Sequence, residues 1–173
     1  ILALHNLRVL GAHIFTWPDQ TVVDVLNIVP VAGVDFSEQD WNGLERDMNL
    51  AVNYRLDVGG QLRRKMFVTD SGPKRQVQQL RQEVIIDNTT SQRFTVIEVY
   101  AGDAPATLYH LTQTLADFGL DIHRARIATE VEQLIDIFYV SLRDGCKLEE
   151  RARIDRVREA LLHCIGQEES VPA

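Results

Sequence analysis

From Leu7 to Thr16 the chain has the β-branched and apolar content of a strand, and the turn signal Trp17-Pro18-Asp19-Gln20 follows it. A second run, Thr21 to Val29, is nearly all apolar and predicts a strand covered on part of both faces, closed by Pro30. Ile1 to Leu4 reads as the last turn of a helix that begins upstream, so the chain is expected to be a piece of something longer. Ser37 with Asp40 three residues on is a capping-box pattern, and Trp41, Leu44, Met48 and then Ala51 or Val52 recur at helical spacing. An amphipathic helix over Glu38 to Arg55 is predicted. Gly59-Gly60 and Ser71-Gly72-Pro73 punctuate the next stretch, where the pattern settles only on a short strand or helix. A brief strand at Val84 to Ile86 ends in the polar run Asp87 to Gln92, which divides a first domain, 1–90, from a second, 91–173.

The second half is more regular. Phe94 to Tyr100 predicts a strand, and Asp103 with Pro105 marks a helix start, because proline fits a first helical turn where its missing N–H costs nothing. Leu108, Leu111, Leu115 and Phe118 form one apolar stripe. Strands at Leu120 to Thr129 and Gln133 to Leu142 follow, then a turn at Asp144-Gly145. A last helix places Ile154, Val157, Leu161 and Ile165 at core spacing, with Glu149 and Glu150 at its positive end. Gly166 to Ala173 reads as a frayed tail.

The two halves repeat. Leu115, Ala116 and Leu120 fall on Leu2, Ala3 and Leu7 at a shift of 113 positions, and the register continues through Ala125 on Ala12, Ile127 on Ile14 and Thr129 on Thr16. With one extra residue in the first copy, Asp136 falls on Asp24. Asn6 and Gly119 occupy equivalent places and are the residue types that enter a left-handed helix cap most readily. Both copies therefore predict a helix end followed directly by a strand. Strand, helix, strand, strand, helix is most of a split βαβ, ferredoxin-like unit of the α+β class.

Composition then removes several functions. A net charge of −7 argues against nucleic acid as a partner. No apolar run approaches the roughly 20 residues of a membrane helix. Cys146 and Cys164 lack metal-ligand spacing and no secretory signal precedes them, which fits a reduced, cytoplasmic protein. His5, His13, His110, His123 and His163 are scattered, so no metal site and no catalytic residue is expected. Asp24 and Asp136 sit inside apolar strands, where a solvated or hydrogen-bonded place on an open sheet face is one reading and an interdomain, ligand-sensing contact the other.

The strand Phe94-Thr95-Val96-Ile97-Glu98-Val99, the turn residues Asp103 and Pro105 and the pair Leu108-Tyr109 carry a family resemblance. Leu120, Ile122, Ala125, Ile127, Thr129, Asp136, Phe138-Tyr139-Val140 and Asp144-Gly145 extend it. Together they resemble the ACT domain, and more narrowly the tandem ACT repeats at the C-terminus of bacterial bifunctional enzymes that uridylylate and deuridylylate the PII nitrogen-signalling protein.

The resemblance implies ferredoxin-like ACT domains in tandem with sheet order 4-1-3-2, the first copy truncated so that it lacks its first strand and most of its first helix. The vacancy is expected to be filled by a strand from elsewhere, or that half to be poorly ordered. The resemblance implies an amino-acid ligand, glutamine or another small amino acid, held between a first strand-to-helix loop and the second strand of a paired domain. By position the loop is Gly102, Asp103, Ala104, Pro105, Ala106 and Thr107. Asn6, Leu7 and Arg8, or Leu120, Asp121 and Ile122, would lie opposite. Helix N-terminal N–H groups suit the ligand carboxylate, while Asp103 alternatively serves only as a helix cap.

The family's loop reads Asp-Arg-Pro-Gly-Leu-Leu-Tyr, so Ala106 sets a methyl where a glycine lets ligand approach the backbone. Magnesium and UTP belong to catalytic domains upstream, and no cofactor is implied for this segment. Three functions remain in view: a glutamine-sensing regulator, an ACT pairing or homodimerisation module without ligand, and a free-standing amino-acid-responsive regulator.

Overall fold

The computed structural model describes residues 1–17, 19, 21–31, 33–69, 81–102, 106–130 and 133–166, with the side chains of 66–69 and 129–130 set aside. The turn residues Pro18 and Gln20, the Ser71-Gly72-Pro73 punctuation, the loop residues Asp103, Ala104 and Pro105 and most of the tail lie outside them. The chain divides into two compact units, Ile1–Val9 with Ile28–Val77, and Leu10–Asn27 with Gln78–Ala173.

In the first unit a 3₁₀ turn, Leu2–His5, ends at Asn6, whose φ of 57° is left-handed as its place in the repeat predicts. Helix α1 spans Glu38–Val52. Its capping box forms as expected, with the Ser37 hydroxyl accepting from the Asp40 N–H and the Asp40 carboxylate accepting from the Ser37 N–H.

The helix stops three residues short of Arg55. Tyr54 turns left-handed at φ 54°, and the Arg55 N–H reaches the Leu50 carbonyl while the Tyr54 N–H reaches that of Ala51. That pair of bonds is a Schellman ending, which satisfies two of the last carbonyls. The uncertain stretch after it is a second helix, α2, at Val58–Thr69. The His5 imidazole meets the Asp47 carboxylate at 3.0 Å and ties the turn to α1.

The sheet has six strands: β1 (Leu7–Thr16), β2 (Val22–Pro30), β3 (Glu83–Asp87), β4 (Thr95–Gly102), β5 (Leu120–Glu130) and β6 (Gln133–Leu142), ordered β2-β1-β5-β6-β4-β3. The fold is α+β, as expected. Helices α3 (Thr107–Asp117) and α4 (Arg151–Gly166) pack on each other, α3 against β5 and α4 against β3. Alternate strand residues supply the core under them, among them Ile97, Val99, Phe138 and Val140, and the helices answer with Leu111, Leu115, Val157 and Leu161; all are fully buried. Gly119 ends α3 at φ 68°, left-handed like its counterpart Asn6.

Two features of the sheet depart from the expected order. The place beside the central strand β4 that a fourth strand takes in 4-1-3-2 is held here by β3, which precedes β4 in the chain. Residues 1–90 accordingly build no four-stranded sheet of their own, since β1 pairs with β5 and β3 with β4. Among the described residues no strand covers the outer edge of β2, and Val22 and Val25 are more than half exposed there. The equivalent aspartates also part company. Asp24 is exposed, with partial desolvation pushing its carboxyl above the usual carboxylate range, while Asp136 is fully buried between Val99 and Ile127.

Candidate functional site

Strand β4 delivers the loop that the sequence singles out. Gly102 pairs with Gln133, whose amide nitrogen donates to the Ala101 carbonyl at 2.6 Å and whose amide oxygen accepts from the Arg81 N–H at 3.1 Å. One glutamine thus fixes the rim from which the loop departs. On the far side Ala106 stands ahead of α3 at φ 71°, ψ 3°, and its carbonyl accepts from the His110 N–H. Thr107, the first helical residue, is buried. No side chain caps α3 from Ala106, so the first N–H groups of the helix gain no help from that residue.

Ala106 is the only alanine among the described residues with positive φ. A Cβ in that conformation crowds the following carbonyl oxygen, at roughly 1–2 kcal/mol. Ala106→Gly is therefore expected to stabilise the chain by about 1 kcal/mol despite glycine's greater unfolded-state entropy, read as a higher urea midpoint at unchanged slope. The same substitution removes the methyl from the side where a ligand would approach.

The remaining candidates fall in two places. Asn6, Leu7 and Arg8 open β1 in the first unit: Asn6 accepts from the Lys65 ammonium at 2.6 Å, Leu7 is buried and Arg8 is exposed. Leu120, Asp121 and Ile122 open β5. Strands β4 and β5 both run antiparallel to β6, so they are parallel to each other, and Gly102 shares its end of the sheet with Glu130. The start of β5 is on the order of 30 Å away along the strand. Within the second unit Gly102 and Leu120–Ile122 are thus not brought together.

Leu120–Ile122 instead line an open cleft of about 860 Å³ that sequence reading missed. The Thr16 hydroxyl donates to the Ile122 carbonyl at 3.1 Å. His123 stacks on Phe94 at 4.6 Å, and its Nε2 lies 2.8 Å from the Ser141 hydroxyl. That hydroxyl donates to the Leu142 carbonyl and is buried, so the pair is no activated nucleophile. Arg124 sits over the rings of Phe15 and Tyr139, and Arg93 over that of Phe94. The sequence signal for the cleft is arginine beside aromatic residues at strand ends. Among the described residues no three His, Cys, Asp or Glu side chains are placed to hold a metal ion, and no helix is long and apolar enough to cross a membrane.

Comparison with known proteins gives a family for the second half. Residues 90–167 match the model of the ACR family N-terminal ACT domain. Along nearly its whole length the chain is similar to bifunctional uridylyltransferase/uridylyl-removing enzymes. It is 32% identical to that of Azospirillum brasilense over 95% of this chain and 18% of the relative, and 32% identical to that of Rhodospirillum rubrum over 96% and 18%. The enzyme of Novosphingobium aromaticivorans is 34% identical over 90% of this chain and 17% of its own length. The chain thus spans less than a fifth of the relatives it matches. No solved structure matches it.

Proposed function

The chain carries an ACT domain at residues 90–167 and is homologous to the C-terminal 18% or so of bifunctional uridylyltransferase/uridylyl-removing enzymes, and on that premise we propose that it is a regulatory, glutamine-sensing region. In this reading the parent protein is a cytoplasmic nitrogen-metabolism enzyme that uridylylates and deuridylylates the PII protein, with magnesium and UTP handled upstream. Glutamine binding shifts the balance of the two activities by favouring one domain arrangement, and only by as much as its affinity differs between them.

The observation that carries the proposal is that Ala106 and Thr107 open α3, where helix N–H groups favour a carboxylate, just after Gly102 closes β4 and inside the stretch that matches the ACT family. One observation favours a second reading. Ala106 keeps both a methyl and a strained backbone where close approach is needed, which suits a pairing module that has lost its ligand.

Calorimetric titration with glutamine, with other amino acids as controls, separates the two. Saturable heat for glutamine alone, larger or tighter in Ala106→Gly, is expected for the sensor. Absence of heat in both the chain and Ala106→Gly leaves the pairing module.

A further inference from the structure

One side chain at the rim of the second unit's sheet joins β6, the end of β4 and the residues ahead of β3. The pairing of β3 with β4 starts at Glu83 opposite Tyr100, and carried two residues further in the same register it sets Arg81 opposite Gly102. Gln133 stands opposite Gly102 on the other side, through the pairing of β4 with β6. Neighbouring strands lie about 4.8 Å apart, so β4 separates Arg81 from Gln133 by two such spacings. The glutamine side chain closes that gap. Its Oε1 accepts from the Arg81 N–H at 3.1 Å, and its Nε2 donates to the Arg81 carbonyl at 3.2 Å and to the Ala101 carbonyl at 2.6 Å.

Residue types at three positions make this crossing work. Residues paired directly across strands carry their side chains on the same face, so a side chain at position 102 would stand in the glutamine's path, and glycine leaves the way open. An amide offers an acceptor and two donors on one plane, and here the oxygen meets an N–H while the nitrogen meets carbonyls. Arg81 is held from its own side as well: its guanidinium lies 3.9 Å from the centre of the Tyr100 ring and pairs with Glu83. The main chain of Arg81 thus gains from a side chain the two partners that a further strand rung would give.

The strap's two ends lie at places of different consequence. Gly102 closes β4 just ahead of α3. Arg81 follows closely on Val77–Gln78, where the chain passes from the first unit to the second. We propose that Gln133 is a positioning residue that couples these two places, so that an amino acid seated ahead of α3 is registered where the chain leaves the first unit. The ligand is the one proposed above, while the strap itself stands on geometry alone. Any displacement of Gly102 pulls on an amide that also holds both main-chain groups of Arg81. The coupling is bounded by those bonds, at roughly tenfold in an equilibrium for each.

Hydrogen exchange at single amides, read by NMR on the 173-residue chain, follows each end separately. Gln133→Met keeps the side chain's length without its hydrogen bonds, and it is expected to speed exchange about tenfold at Arg81 and at Ala101–Gly102 together. Gln133→Glu keeps an acceptor for the Arg81 N–H and loses the donor to Ala101, so Ala101–Gly102 is expected to loosen while Arg81 stays protected. Far-UV circular dichroism checks that each variant is folded. Added glutamine is expected to shift the resonances of Gly102 and Arg81 in the parent chain, and of Gly102 alone in Gln133→Met. Unchanged exchange at Ala101–Gly102 in Gln133→Met, or glutamine shifts at Arg81 of equal size in both chains, would overturn the coupling. Absence of any glutamine shift in the parent chain would overturn the sensor reading, whereas the exchange comparison needs no ligand and still decides the strap.

Discussion

Phe138→Ala is expected to destabilise the second unit by about 3–5 kcal/mol, the largest effect of any single truncation among the described residues. Phe138 is the largest fully buried side chain among the described residues. It lies on the helix-covered side of β6, with Ile97 opposite on β4 and Ala125 opposite on β5, both themselves fully buried. Ala125 opposite is small and leaves the room that the phenyl ring occupies. The cost is then transfer of the ring plus an unfilled void, and it consumes a large part of a domain stability of roughly 5–15 kcal/mol.

Leu162→Ala on α4 is the control, because Leu162 is 37% exposed and most of its surface change is already solvated. Urea unfolding followed by circular dichroism and by Trp17, which lies in the second unit, gives both values. A Phe138→Ala loss as small as that of Leu162→Ala would mean that the sheet repacks around the site.

What the pattern of the chain made legible was whatever local chemistry decides. The capping box at Ser37 and Asp40, the left-handed residues Asn6 and Gly119 and the strands of the second half are each specified by neighbours within a few positions. Helix α2 was obscured by Gly59-Gly60, which read as breakers. In the structure the Gly60 N–H donates to the Asp57 carboxylate at 2.9 Å, and a Cβ there would lie 2.0 Å from an oxygen of the same group, which would have to give up this position. Two glycines in a first turn, below a capping aspartate, end nothing.

The pairing of β3 with β4 was illegible for a different reason. Strand order is a non-local choice, and Val84–Ile86 has the same apolar content whether it closes a first sheet or edges a second. The start of α3 was legible, through Asp103 and Pro105, yet the strain just before it was not, since only φ at Ala106 reveals the left-handed backbone. The cleft at Ile122 was invisible because β1, β5 and the segment before β4 meet there from three distant parts of the sequence.

Lys65→Met is expected to destabilise the first unit by about 1.5–3 kcal/mol, the range for hydrogen bonds to a charged group. The Lys65 ammonium, on α2, donates to the carbonyls of Ala3 and Leu4 and to the Asn6 side-chain oxygen at 2.8, 2.7 and 2.6 Å. These acceptors crowd the end of the 3₁₀ turn, where the Ala3 carbonyl also accepts from the Asn6 N–H and a cation is favoured. The three bonds are not additive, and burial opposes them, holding the lysine pKa below its usual value.

Methionine removes that desolvation cost along with the bonds, which keeps the expected loss at one bond's magnitude rather than three. Lys65→Arg is the discriminating partner variant. If charge near the turn is what matters, arginine retains much of the stability; if the fit of a compact ammonium among three oxygens matters, its planar fork fails and the loss approaches that of methionine. Unfolding followed through Trp41, which packs edge-on against Phe36 in the same unit, reads the result, and the Trp17 signal of the second unit is expected to stay unchanged. Equal stability of Lys65→Met and the parent chain would show that water replaces the ammonium at these carbonyls without loss.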